Sequence, residues 1–250
     1  MKISLSDLCF GYADRLVLKE FNCIFASGAI TAVLGVNGSG KTTLLKMMSR
    51  LLKPDRGCIF LDETDLLSLS RKKSAQTTGY ISQTYETARL RVFDYLLIGR
   101  TPYRRYAYDP EDEQIVLQVL DDLELSSFAD RWLGELSGGE VQKIVIARAL
   151  VQQPEVLLLD EPTNNLDLKN QLEVMKILSK CSRQRRMTVI FSIHDINLAL
   201  RFADDFLLLD QGQVLMAGDK TNLSAESLSH AYGTPLIIHE VSGELLVLPQ

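Results

Sequence analysis

The stretch AITAVLGVNGSGKTTLLKMMSRLL, Ala29 to Leu52, constrains the fold more than any other part of the chain. A short apolar, β-rich run ends in glycine, and a helical pattern opens at Lys41. Between them Gly35, Gly40, Lys41 and Thr42 fit G-x-x-x-x-G-K-[ST]. Such a loop, following a strand and opening a helix, lets backbone N–H groups wrap phosphate oxygens. The cradle runs through Gly35, Asn37, Gly38, Ser39 and Gly40 to Thr43. Lys41 then reaches the β- and γ-phosphates, and the Thr42 hydroxyl binds Mg²⁺. A chance glycine-rich turn is the bland alternative, and the order of strand, loop and helix argues against it.

A second such helix start lies far along the chain. In LSGGEVQK, Leu136 to Lys143, a hydroxyl, two glycines and an acid introduce the helical run VQKIVIARAL. Free N–H groups and the helix dipole suit an anion there. In VLLLDEP, Asp160 ends a buried strand, where open parallel sheets place their ligands. Asp160 can hold Mg²⁺, and Glu161 is placed to orient or deprotonate a water. His194 follows TVIFSI at another strand end, either bonded within a turn or touching a γ-phosphate. Gln83 after GYIS polarises water or touches Mg²⁺, or is a plain exposed strand end. Tyr12 stacks on adenine or packs in a strand.

The remainder bounds the class. The 250 residues carry a formal net charge of -5, which argues against a broad basic nucleic-acid footprint. Cys9, Cys23, Cys58 and Cys181 form no C-x-x-C pair, and His194, His230 and His239 no H-x-x-x-H pattern. Neither a disulfide framework nor a structural zinc site is suggested, so a reduced cytosolic protein is expected. The N-terminus lacks a signal-peptide pattern, and the apolar runs are too short to span a bilayer. Strands alternate with helices (EVLLLD, QLEVMKILSKC, MTVIFSI, NLALRFA, DFLLLD), which predicts a mostly parallel sheet covered by helices. TGYISQT reads as a strand. From Val92 to Asp130 the pattern is helical, broken by the polar TPYRRYAYDPED.

In order, GVNGSGKT, ISQ, LSGGE, VLLLDE, NNLD and SIHD resemble the Walker A, Q-loop, signature, Walker B, D-loop and H-loop of ABC transporter ATP-binding subunits. The resemblance covers nearly the whole chain, and LSGGE ahead of LLLDEP is its most specific part. It implies an α/β fold: a P-loop NTPase, ABC-type ATPase core with an antiparallel β subdomain and an inserted helical subdomain. Residues 1–91 and 145–250 would form the core, and 92–144 the helical subdomain ending in the signature. It also implies a head-to-tail homodimer binding ATP and Mg²⁺, in which Ser137, Gly138 and Gly139 cap the partner's γ-phosphate. Asp167 would lie across that interface. Tyr12 would stack on adenine, Glu161 serve as catalytic base, His194 sense the γ-phosphate, and Thr42, Gln83 and Asp160 hold the metal. A groove near Gln83 would receive coupling helices of transmembrane permease subunits, at the cytoplasmic face of the membrane.

LLIGRTPYRR, DLELSSFADRWLGELSGGE, SIHDINLALRFAD and AYGTP are similar, more narrowly, to the ATPases of iron–siderophore, haem and cobalamin importers. Those work indirectly with an extracytoplasmic substrate-binding protein. The sequence departs from the family at Val36 for proline, at Lys143 for arginine, and at NNLD for a serine-containing D-loop. No added C-terminal regulatory domain is expected. The competing class is a soluble ABC ATPase of iron–sulfur assembly, translation or DNA maintenance. Against it stand the lack of a long coiled coil, a second cassette or a broad basic face. SRQRR reads as a solvated helix end. A small-molecule kinase would leave LSGGE unexplained. RTPYRRYAY has the arginine–tyrosine interleaving that stacks single strands, but as part of a helical insertion it reads better as a permease-facing surface or a solvated loop.

Overall fold

The computed structural model describes residues 1–13, 15–83, 89–104 and 106–250. Two long strands, β1 (Ile3–Tyr12) and β2 (Arg15–Phe25), precede β3 (Ile30–Leu34) and helix α1 (Lys41–Met48). A hairpin of β4 (Arg56–Leu61) and β5 (Thr64–Asp65) leads to α2 (Arg71–Thr77) and β6 (Thr78–Ile81). Three helices follow: α3 (Val92–Leu97), α4 (Pro110–Asp122) and α5 (Gly138–Val151). Strands and helices then alternate through β7 (Val156–Asp160), α6 (Leu168–Arg185), β8 (Thr188–Ser192), α7 (Ile196–Phe202) and β9 (Asp205–Asp210). The last elements are β10 (Gln213–Asp219), α8 (Ala225–Tyr232) and a hairpin of β11 (Leu236–Val241) and β12 (Glu244–Pro249). Asp14, Thr84 of the expected TGYISQT strand and Arg105 of RTPYRRYAY lie outside the described residues.

The main sheet runs β10-β9-β3-β8-β7-β6, parallel except for β10; a second sheet, β2-β1-β4-β5, is antiparallel. Alternation along the parallel strands divides the core. Ala32, Leu157, Leu159, Phe191 and Leu208 face the helices α3 to α7, while Val33, Leu158, Ile190 and Leu207 face α1 and the antiparallel sheet. Both faces are therefore covered, which is why these strands read as unbroken apolar runs. Helix α1 is sandwiched between the two sheets through Leu44, Leu45, Met47 and Met48. Helix α5 is buried almost all round, and its run from Gly138 continues unbroken past residue 144, where the expected domain boundary falls.

The arginine–tyrosine stretch is turned largely upon itself. Arg100 is buried, and its guanidinium donates to Asp112 at 2.7 Å, to the Val151 carbonyl at 3.1 Å and to Gln153 at 3.0 Å. Its plane lies 3.9 Å from the Tyr103 ring centroid, and Arg104 stacks over Tyr108. Asp112 also closes a capping box with Asp109 at the start of α4, where Pro110 stands at the first helical position. A buried charge stripped of its partner is costly. Asp112→Ala is expected to destabilise the protein by about 3–5 kcal/mol, read as a lowered midpoint in denaturant unfolding.

Candidate nucleotide site

The phosphate-loop candidate lies where β3 passes into α1. Gly35, Gly38 and Gly40 have φ of 137°, 81° and 109°, a region that favours glycine. A Cβ on Gly35 would sit 2.4 Å from the Leu209 carbonyl oxygen, so the loop is pressed against the end of β9. Lys41 is buried, and its Nζ donates to the carbonyls of Gly35 at 2.7 Å and Val36 at 3.0 Å. Burial lowers its pKa, and the carboxylates of Glu161 and Asp160 oppose that shift. Ser39 Oγ is buried without a hydrogen-bond partner among the described residues, as expected of a hydroxyl facing a phosphate cradle.

A chain of hydroxyls ties this loop to the neighbouring strands. The buried Asp160 accepts, at Oδ1, from Thr42 Oγ1 at 3.0 Å and from Ser192 Oγ at 2.7 Å. Ser192 Oγ in turn accepts from the Glu161 N–H at 2.9 Å. Glu161 then takes a left-handed φ of 51°. Its carboxylate accepts from Gln83 Nε2 at 2.8 Å, Asn164 Nδ2 at 3.1 Å and His194 Nε2 at 2.6 Å. Thr42, Asp160 and Gln83 offer oxygen donors of the kind Mg²⁺ takes, so the residues fit that ion. A cavity of about 780 Å³ is lined by the loop, Tyr12, Arg15, Val17, Glu161 and Asp210. Tyr12 packs edge-on against Phe10, centroids 4.9 Å apart, while still lining the cavity. The packing expected of Tyr12 is thus present and leaves the ring on the cavity wall.

The second helix start is elsewhere. Ser137 caps α5 in a reciprocal box with Glu140, whose pKa is lowered by the Ser137 hydroxyl and amide. Gly139 packs so closely on Asn170 that a Cβ would meet its side chain at 2.4 Å. Asn170 donates from N and Nδ2 to Asp167 Oδ1, at 2.8 and 2.9 Å. Ser137, Gly138, Gly139 and Asp167 thus form one patch, and none of them lines the 780 Å³ cavity. Gln83 and His194 do not line it either, but both reach it through Glu161.

Three site residues, Ser192 of SIHD, Tyr232 of AYGTP and Asn164 of NNLD, are given no individual role by the sequence. Ser192 and Tyr232, whose hydroxyl accepts from the Gly35 N–H at 3.3 Å, arrive only through long-range packing. Asn164, noted only as a departure, proves to be a donor to Glu161. Lys143, the other departure, pairs with Glu173 of α6. A second cavity of about 450 Å³ opens beside the β6 end, between Tyr80, Ser82, Tyr95, Arg148 and Gln152. The four cysteines are unpaired, and burial pushes Cys23 up to about 12. Among the described residues no group of three His, Cys, Asp or Glu side chains is placed to hold a metal, and no helix is long and apolar enough to cross a membrane.

Comparison with known proteins agrees with this geometry. The family described as ABC transporter matches residues 18–164. An uncharacterized ABC transporter ATP-binding protein of Methanocaldococcus jannaschii, MJ0089, is 43% identical over 249 residues, covering 100% of this chain and 98% of that protein. The iron(3+)-hydroxamate import ATP-binding protein FhuC of Bacillus subtilis is 35% identical over 219 residues, 86% of this chain and 81% of that one. Among solved structures, an ABC transporter in an inward-facing conformation, of metal-chelate type by its description, superposes with a TM-score of 0.87 at 30% identity. That match covers 99% of this chain and 96% of the other. With a family match over more than half its length and relatives spanning it end to end, the chain belongs to the ABC transporter family, as one of its ATP-binding, ATP-hydrolysing subunits.

Proposed function

We propose that this subunit powers an importer for an iron–siderophore or related metal chelate. It would act as a homodimer docked on transmembrane permease subunits at the cytoplasmic face of the membrane. An extracytoplasmic binding protein would deliver the cargo. The carrying observation is the separation on one chain of the phosphate-loop cavity from the Ser137–Gly139 and Asp167 patch. Each is half of a site that a second copy, turned head to tail, completes. Relatives named for iron-hydroxamate, petrobactin and iron chelatin transport support the cargo class over haem or cobalamin. The soluble, non-transport ATPase has no such support.

In this reading residues 92–144 act as a helical subdomain on a core of 1–91 and 145–250. The 450 Å³ groove is the seat of a permease coupling helix. Thr42, Asp160 and Gln83 would hold Mg²⁺, which neutralises charge developing on the phosphates. Lys41 leaves the Gly35 and Val36 carbonyls for phosphate oxygens. Tyr12 stacks on the adenine. Glu161 takes a proton from the attacking water, and His194, bonded to the Glu161 carboxylate, contacts the γ-phosphate. Closure around ATP and reopening after hydrolysis turn binding energy into motion of the permease.

Affinity purification of the tagged subunit from solubilised membranes should recover a polytopic permease; recovery of soluble partners alone would return the decision to the non-transport ATPase. Glu161→Gln should bind Mg-ATP and accumulate as an ATP-bound dimer, with turnover down roughly 10²- to 10⁴-fold. Undiminished turnover would remove Glu161 from the role of base. Ser137→Arg should abolish turnover while the isolated chain binds Mg-ATP with unchanged affinity, measured by titration calorimetry.

A further inference from the structure

The stretch AYGTP, Ala231 to Pro235, spans the end of helix α8. In the structure it delivers a side chain to the phosphate loop. Gly233, at φ 65°, ends α8 in the left-handed conformation, and Pro235 prevents the helix from resuming. Tyr232 is thereby fixed in the last turn of α8. Its hydroxyl accepts from the N–H of Gly35, 197 residues away in sequence. Burial keeps the phenol protonated, raising its pKa, so a neutral hydroxyl meets the loop.

Helix α8 is itself held on the side away from the loop. Leu228 and Ala231 are buried in the main core. Ser229 Oγ donates to the Ala225 carbonyl of its own helix at 2.6 Å and accepts from the Leu236 N–H at 2.8 Å, tying α8 to β11. Asn197 of α7 pairs with both the N–H and the carbonyl of Val247 in β12, at 2.8 and 3.0 Å. A second side chain of α8 reaches the same wall of the cavity: His230 Nε2 lies 3.4 Å from Asp210, which lines it.

Gly35 is where the loop turns off the strand, and its N–H and its carbonyl, on the two peptide planes that flank its Cα, are both engaged. Its carbonyl accepts from Lys41 and its N–H donates to Tyr232. When the Lys41 ammonium turns to phosphate oxygens, the carbonyl loses that donor, and the bond to Tyr232 is what still fixes the glycine. We propose that Tyr232 is a positioning residue for the phosphate loop, holding the backbone at Gly35 through its N–H while Lys41 exchanges carbonyls for nucleotide. The inference rests on the ATP-site reading above.

Tyr232→Phe keeps the ring and removes only the acceptor. It is expected to raise the KM for ATP and the Kd for Mg-ATP roughly three- to tenfold, in line with an amide left unpaired, while kcat stays within about twofold. Amide hydrogen exchange in the segment 30–40 should quicken, with little change in the nucleotide-free thermal midpoint. Wild-type affinity and wild-type exchange in the variant would overturn the proposal alone. So would a joint fall of kcat and thermal stability at constant KM, which marks a packing role only. Failure of the wild-type protein to bind Mg-ATP would overturn it together with the ATP-site reading.

Discussion

One carboxylate oxygen organises this molecule. Asp160 Oδ1 accepts two hydroxyls, from Thr42 at the start of α1 and from Ser192 at the end of β8. Three elements that meet nowhere in sequence are pinned at a buried point where an unpaired donor or acceptor would be expensive. Ser192 also takes the next backbone N–H, and Glu161 leaves the strand in the left-handed conformation. That conformation costs a residue with a Cβ about 1–3 kcal/mol. In return the Glu161 carboxylate stands where donors from three separate loops converge.

The same chain carries two anion-binding helix starts built by different means. At the first, glycines in left-handed conformations expose backbone amides, and the cation is buried beneath them. At the second, Ser137 and Glu140 satisfy each other and leave the helix end on the surface beside Asp167. In the proposed reading a site split this way is completed only by association, so that nucleotide binding and dimer formation would become one equilibrium. Family membership rests on the whole-chain matches. The split geometry is what supports the proposal that the subunit works in pairs.

What was legible in the sequence was what is local. The phosphate loop, the strand ending in Asp160, the α5 cap and the run of alternating strands and helices each announce themselves within a dozen residues. Gln83 and His194, ambiguous as single residues, become intelligible through the carboxylate they share. The short α2, α8 and the β11–β12 hairpin were not foreseen, since each is too brief for periodicity to mark it and is held by tertiary bonds. The roles of Ser192 and Tyr232 were invisible for a related reason: they stand in SIHD and AYGTP, but nothing local shows which distant element packing brings each of them to. RTPYRRYAY suggested single-strand stacking, but its described cations Arg100 and Arg104 already lie on tyrosines of the same stretch.

Helix α5 has a mechanical consequence. Its fourteen residues make a rod about 21 Å long at 1.5 Å per residue. Arg148 and Gln152, at and just beyond one end, line the groove beside β6, while Ser137 stands at the other. Burial on nearly every side, with the Arg100 guanidinium gripping the Val151 carbonyl, leaves little room for the rod to bend. A tilt of about 5° about its groove end would carry Ser137 through about 2 Å. In the proposed reading that is a lever, by which a short stroke at the groove would decide whether the signature end meets its mark.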